Sequence, residues 1–182
     1  MQRRTFMTAA LATAVLSLAG CAAQTRADTD MPAEAFTPEG ARRYLAKCRT
    51  AREAQLIDEL EAEGVPRHTI VLGGFSQGAA ISLFTGLRLA RPIGGICALS
   101  GYLPLAGRLF SEAAPAARRT PIFIAHGDFD SVVPAVMAER SAEVIAQIDP
   151  TLITRTYPID HEVCANEMRD IAAFLNSIAQ HA

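Results

Sequence analysis

The sequence predicts an α/β chain: a parallel sheet of about four strands with helices packed against it. Short β-rich runs, Thr69 to Phe75, Ile93 to Ser100, Pro121 to Ala125 and Leu152 to Tyr157, alternate with segments of helical period. Apolar strands without in-and-out alternation belong in sheets that are covered on both faces. Side chains with reactive chemistry follow three of these runs, and in such sheets ligands and reactive groups collect at the carboxyl ends of the strands. A length of 182 residues, half apolar and one fifth charged, fits a single globular unit.

Residues 1–20 stand apart from that unit. Arg3 and Arg4 precede an apolar run from Phe6 to about Ala19, and small residues lead into Cys21, which is the layout of an export signal. The run is shorter than the roughly 20 residues a spanning helix needs. "LAGC" resembles the lipobox of bacterial lipoproteins, which implies cleavage before Cys21 and lipidation on it. "RRTFM" resembles a twin-arginine export motif. Together they imply a chain anchored to a lipid bilayer in the bacterial cell envelope and facing the periplasm, and Ala22 after the lipid site, where no aspartate stands, favours the outer membrane. Losing Arg3 and Arg4 with the leader takes the formal charge from −2 to −4. Attachment would then come from the lipid rather than from charge.

Residues 21–37 mix alanine with short polar residues and read as a flexible tether, leaving 38–182 as the folded domain. Thr37 can cap a helix with Pro38 in its first turn. Ala41, Tyr44, Leu45 and Cys48, then Leu56, Ile57 and Leu60, repeat at helical spacing until Gly64 and Pro66 end it. The Thr69 to Phe75 strand follows, then a helix from Gln77 to Ala90, the Ile93 strand and a short helix near Leu105 to Ala113. The Pro121 strand leads to a helix from about Pro134 to Ile148, with Met137, Val144, Ile145 and Ile148 on one face. After the Leu152 strand, Ala165 to about Gln180 forms the last helix, with Met168, Ile171, Ala172, Leu175 and Ile178 as its apolar side.

Composition excludes some function classes. Seventeen Lys and Arg against nineteen scattered acids offer no basic face for nucleic acid. With Cys21 lipidated, Cys48, Cys97 and Cys164 remain, none at metal-ligand spacing. No disulfide framework, metal or organic cofactor is expected. Cys97, inside "IGGICALS", reads as a small core residue.

The chemistry concentrates at three strand ends. In "TIVLGGFSQGAA" a strand runs into Ser76 between Gly74 and Gly78. Gly-x-Ser-x-Gly is the pattern of a sharp strand-to-helix turn that exposes a serine hydroxyl and needs small neighbours. "HGDFDSVVP" offers Asp128 and Asp130 after the third strand, and "YPIDHEVC" offers His161 after the fourth. A serine becomes nucleophilic when an imidazole takes its proton, and a carboxylate holds that imidazole in the useful tautomer. The amide of Gln77, at the amino end of the following helix, is placed to bind an oxyanion. Ser76 could instead merely cap that helix. Of the other histidines, His68 and His181 lie in a loop and at the chain end, and His126 reads as structural.

"GGFSQGAAISLFTGL", "ALSGYLP", "HGDFDSVVP" and "YPIDHEVCANEMRDIAAFL" together resemble the carboxylesterase, phospholipase and acyl-protein thioesterase family of α/β-hydrolases, over most of the chain from about Val65. The resemblance implies a serine hydrolase of carboxylic esters or thioesters acting on a small ester or thioester substrate, with Ser76 as nucleophile, Asp130 as acid and His161 as base. Tyr102 and Leu103 are candidate pocket lining, and Cys164 matches a family position that reads as packing. Ala79 stands where the family usually has glycine, and Ser131 where it usually has proline.

The family places further strands and a His-Gly-x-Gly loop, which supplies a second oxyanion donor, before the serine. The one His-Gly in this sequence is His126-Gly127, after Ser76. The expectation is therefore an N-terminally truncated α/β-hydrolase fold with slow turnover. Its first strand would keep a bare edge that could pair two chains into a homodimer. The rival expectation is a catalytically inactive, lipid-anchored envelope protein that uses the same fold for binding.

Overall fold

A computed structural model describes residues 15–17, 50–148 and 152–180. The tether at 21–37, the first part of the predicted helix at 38–49, Cys21, Cys48 and His181 lie outside the described residues, as does most of the predicted export signal. Among the described residues one parallel sheet holds β1 (Val15–Ser17), β2 (Val71–Phe75), β3 (Gly95–Leu99), β4 (Ile122–Gly127) and β5 (Ile153–Tyr157), side by side in sequence order. The helices are α1 (Thr50–Ala62), α2 (Gln77–Gly86), α3 (Leu109–Glu112), α4 (Ala135–Ala146) and α5 (Ala165–Gln180).

Strand periodicity sorts the core into two layers. Register sets Leu72 beside Ile96 and Ile96 beside Ile122, and this row joins Ile57 of α1, Leu83 of α2, Leu109 of α3 and Ile145 of α4 in one cluster. The alternate residues, Val71, Cys97, Phe123, Ala125 and Tyr157, face α5, where Phe174 stacks on Phe123 at 5.5 Å between ring centroids. The four connecting helices, α1 to α4, lie on one face and α5 on the other, as a chain that advances across a parallel sheet by crossovers of one hand requires.

Three details depart from the sequence reading. α2 stops at Gly86 rather than Ala90, because Arg88 and Leu89 turn back to the carbonyls of Thr85 and Gly86 at 3.0 and 3.4 Å. β5 is exposed at every position except Tyr157; with Thr154, Arg155 and Thr156 it forms the sheet's polar border, consistent with how edges are protected. On α5 the buried face runs through Glu167, Phe174 and Ile178, and Met168 is 56 % exposed. The helix is rotated by about one residue from its apparent apolar stripe. Cys164 Sγ accepts the Glu167 amide at 3.5 Å at its start, and Phe174 seats on Phe123.

The edge of β2 is also not bare along its length. Val15, Leu16 and Ser17 pair in parallel with Val71, Leu72 and Gly73, so a piece of the predicted export signal lies beside the first three residues of β2. Gly74 and Phe75 extend beyond it toward Ser76.

Candidate active site

Ser76 follows β2 in a conformation that few side chains adopt, φ 55° and ψ −116°. Holding a non-glycine residue there costs about 1 to 3 kcal/mol and requires the surroundings to enforce it. They do so by close packing: a Cβ on Gly74 would lie 2.3 Å from the Gly78 carbonyl carbon, so strand and helix backbones touch where any side chain would part them. The Ser76 hydroxyl makes no capping hydrogen bond to α2. It is turned out of the helix-capping role that the residue type alone would allow.

The sheet ladder continues past the strand ends and aligns the loops. Ser76 donates its amide to Leu99 at 2.8 Å, Ser100 to Ala125 at 2.9 Å, Asp128 to Tyr157 at 2.8 Å and Phe129 to Ile159 at 3.1 Å. Each residue that leaves a strand is thus tied to the next strand or its loop. Residues distant in sequence meet at one edge of the molecule.

Asp130 is 7 % exposed. Its Oδ1 accepts the amides of Val132 and Val133 at 2.9 and 2.7 Å, and its Oδ2 lies 2.8 Å from His161 Nδ1. Burial pushes the carboxyl up, but the His161 hydrogen bond, the Val133 and Val132 amides and the attraction of His161 outweigh it and hold Asp130 below the usual aspartate value. Asp128 is exposed and spends its amide on Tyr157. Of the two aspartates that the sequence offers, it is Asp130 whose carboxylate meets His161.

The His161 ring packs against Phe75, with 4.7 Å between ring centroids and 50° between planes. Phe75 immediately precedes Ser76, so the imidazole lies between the aspartate loop and the serine turn. Gln77 opens α2. The helix's amino end directs N–H groups and positive potential at this spot. Tyr102 is half-buried, with burial raising its hydroxyl pKa. Leu103 is 3 % exposed within the larger core cluster, and its amide donates to Ser141 Oγ at 2.8 Å.

One contributor was not singled out from the sequence. Asp160 Oδ1 accepts the amides of Ser131 and His161 at 2.7 and 2.8 Å, and its Oδ2 accepts the Ser131 hydroxyl at 3.1 Å. These bonds hold the Asp160 carboxyl below its usual value and clamp the aspartate loop to the histidine loop. A proline at position 131 could not donate that amide, so the Ser131 departure is structurally used. An aspartate directly before His161 was the signal available.

Among the described residues no group of His, Cys, Asp and Glu could hold a metal ion, and no helix is long and apolar enough to cross a membrane.

A model of the Phospholipase/Carboxylesterase family matches residues 36–179. Acyl-protein thioesterase 1 of Mycosarcoma maydis is 39 % identical over 125 residues, covering 66 % of this chain and 52 % of that protein. The crystal structure of a phospholipase/carboxylesterase from Dyadobacter fermentans is 29 % identical with a TM-score of 0.60, covering 71 % of this chain and 61 % of that one. Arabidopsis thaliana SOBER1, at 24 % identity, shares the fold with a TM-score of 0.68 over 71 % of this chain and 62 % of its own. The chain spans about half the length of the curated relatives it matches. With its parallel sheet, its serine turn and this match over most of its length, the chain belongs to the Phospholipase/Carboxylesterase family of α/β-hydrolases.

Proposed function

We propose that the chain hydrolyses carboxylic esters or thioesters through an acyl-enzyme on Ser76. The observation that carries this reading is the 2.8 Å contact of Asp130 Oδ2 with His161 Nδ1, with the His161 ring packed on Phe75, the residue before the strained Ser76. Ser76 Oγ attacks the acyl carbon and its proton passes to His161 Nε2. Asp130, kept ionised, holds Nδ1–H and stabilises the imidazolium. The carbonyl oxygen, now negative, is met by the Gln77 amide. When the tetrahedral adduct collapses, the bond to the leaving oxygen or sulfur breaks, and His161 returns the proton to that atom. Water then repeats the sequence and releases the acid, with Ser76 restored. None of these steps calls on a metal or organic cofactor.

The Gln77 amide is the oxyanion donor that this reading names. Losing one of two oxyanion donors typically costs about 100- to 1000-fold in turnover, so slow turnover is expected where the Gln77 amide acts alone. By the leader motifs, the enzyme would work from the envelope, tethered through lipid on Cys21 near ester-bearing molecules.

A fluorophosphonate probe reacts with a serine only when it is activated. Labelling of the wild-type chain that vanishes in Ser76→Ala, together with turnover of a short-chain p-nitrophenyl ester, is the expected result. A folded chain that takes up no label would favour the inactive binding protein.

A further inference from the structure

His126 ends β4 only 2 % exposed, and no step of the reaction above uses it. Its Nε2 lies 2.8 Å from the Val133 carbonyl oxygen and 3.3 Å from Asp130 Oδ2, while Nδ1 is buried with no hydrogen-bond partner among the described residues. A carbonyl oxygen can only accept, so the ring is assigned as the tautomer that carries its proton on Nε2. That single N–H points between the Val133 carbonyl and the carboxylate oxygen that also faces His161.

We propose that His126 is a positioning residue for the Asp130–His161 pair, an inference that rests on the hydrolase reading of that site. The contacts form a closed ring. Asp130 Oδ1 holds the Val133 amide at 2.7 Å, and His126 holds the carbonyl of the same residue. Asp130 Oδ2 lies between His126 on one side and His161 at 2.8 Å on the other. Val133 is therefore gripped at both of its peptide groups, and the carboxylate has no rotation that keeps all of these partners. Gly127 lets this ring sit deep: a Cβ there would lie 2.5 Å from the carbonyl oxygens of Ile159 and Asp160, the residues that lead into His161. The side chain before that glycine reaches the carboxylate from below, and the histidine loop crosses directly above. Without His126, the Val133 carbonyl would lose its donor and Asp130 would be free to turn away from Nδ1.

The test compares wild type with His126→Leu, His126→Gln and His126→Asn. Each is followed by ester turnover, by circular dichroism, and by the low-field proton resonance of the His161 Nδ1–H. A glutamine amide carries two N–H groups and can serve Val133 and Asp130 together; asparagine is too short to reach. Misplacement of a catalytic group typically costs about 100-fold, so folded His126→Leu should lose kcat by about that factor with KM little changed, and His126→Gln should recover most of it. The low-field resonance should weaken in the leucine and asparagine variants and return with glutamine. Wild-type kcat and resonance in folded His126→Leu would overturn the proposal. So would equal losses in His126→Gln and His126→Asn, which decide the matter if the leucine variant does not fold. A wild-type chain with no turnover would defeat the hydrolase reading alone, because the resonance series still tests His126.

Discussion

Two carboxylates, one in the loop after β4 and one on α5, are both buried, yet their surroundings drive them in opposite directions. Asp130, at 7 % exposure, is ringed by donors and held below the usual aspartate value. Glu167, at 1 % exposure on the inner face of α5, has no close hydrogen-bond partner for either carboxylate oxygen among the described residues. Burial pushes it up against only the pull of the Cys164 backbone N–H. Glu53 on α1 behaves like Glu167: at 4 % exposure, burial raises it to about 7, opposed in part by Thr85. Desolvation penalises all three charges, so burial by itself does not mark a site. What sets Asp130 apart is that loop amides and an imidazole converge on it.

The sharpest way to break this comparison is Asp130→Asn, which keeps the shape and removes the charge. Turnover should fall by about 10,000-fold, because the wrong His161 tautomer then faces Ser76; a loss under tenfold in an ester assay would mean that the converging donors serve only the loop. Next in size is Glu53→Gln. A carboxyl with its folded pKa raised from 4.5 to about 7 contributes its full stability below the ordinary value and loses it as pH rises toward neutrality. The glutamine variant should therefore lose less of its urea midpoint than wild type between pH 4.5 and 7, keeping the part of the slope that Glu167 contributes, and should gain up to about 3 kcal/mol over wild type at pH 8. Glu167→Gln should flatten the pH dependence in the same direction, and a slope unchanged from wild type would place that carboxyl with Asp130 instead. A smaller effect is expected at Asp160→Ala, which unclamps the two loops and should lower kcat about tenfold by loosening orientation. Smallest is Ser131→Ala, which removes only the 3.1 Å hydroxyl bond and leaves the backbone amide bond in place. Turnover within about fivefold of wild type is expected, in line with one hydrogen bond near 1 kcal/mol.

Much of this was legible in the residues. β3 and β4 read correctly because strands buried on both faces are apolar throughout, and the turn at Ser76 is signalled by Gly74, where a Cβ would meet the Gly78 backbone. Chain order set Asp130 and His161 after the third and fourth predicted strands, and their side chains meet there. Choosing Asp130 over Asp128 took the family resemblance, since two aspartates two residues apart differ only in which way a loop turns. Other features escaped a reading based on polarity. Glu167 points inward and Met168 outward on α5, and Ser141 of α4 is buried, where its hydroxyl bonds the Leu103 amide and the Met137 carbonyl. The Asp160 clamp and the His126 contact escaped for the same reason: each depends on tertiary neighbours with no periodic signature.

The short pairing of Val15, Leu16 and Ser17 with β2 also bears on the order of events in the life of the chain. If a peptidase cuts ahead of Cys21, it discards a member of the sheet. Precursor and product would then differ in how strongly the amides of Val71 to Gly73 resist exchange with deuterium, and the newly vacated rim would end at Gly73, directly before the two residues leading into the serine turn.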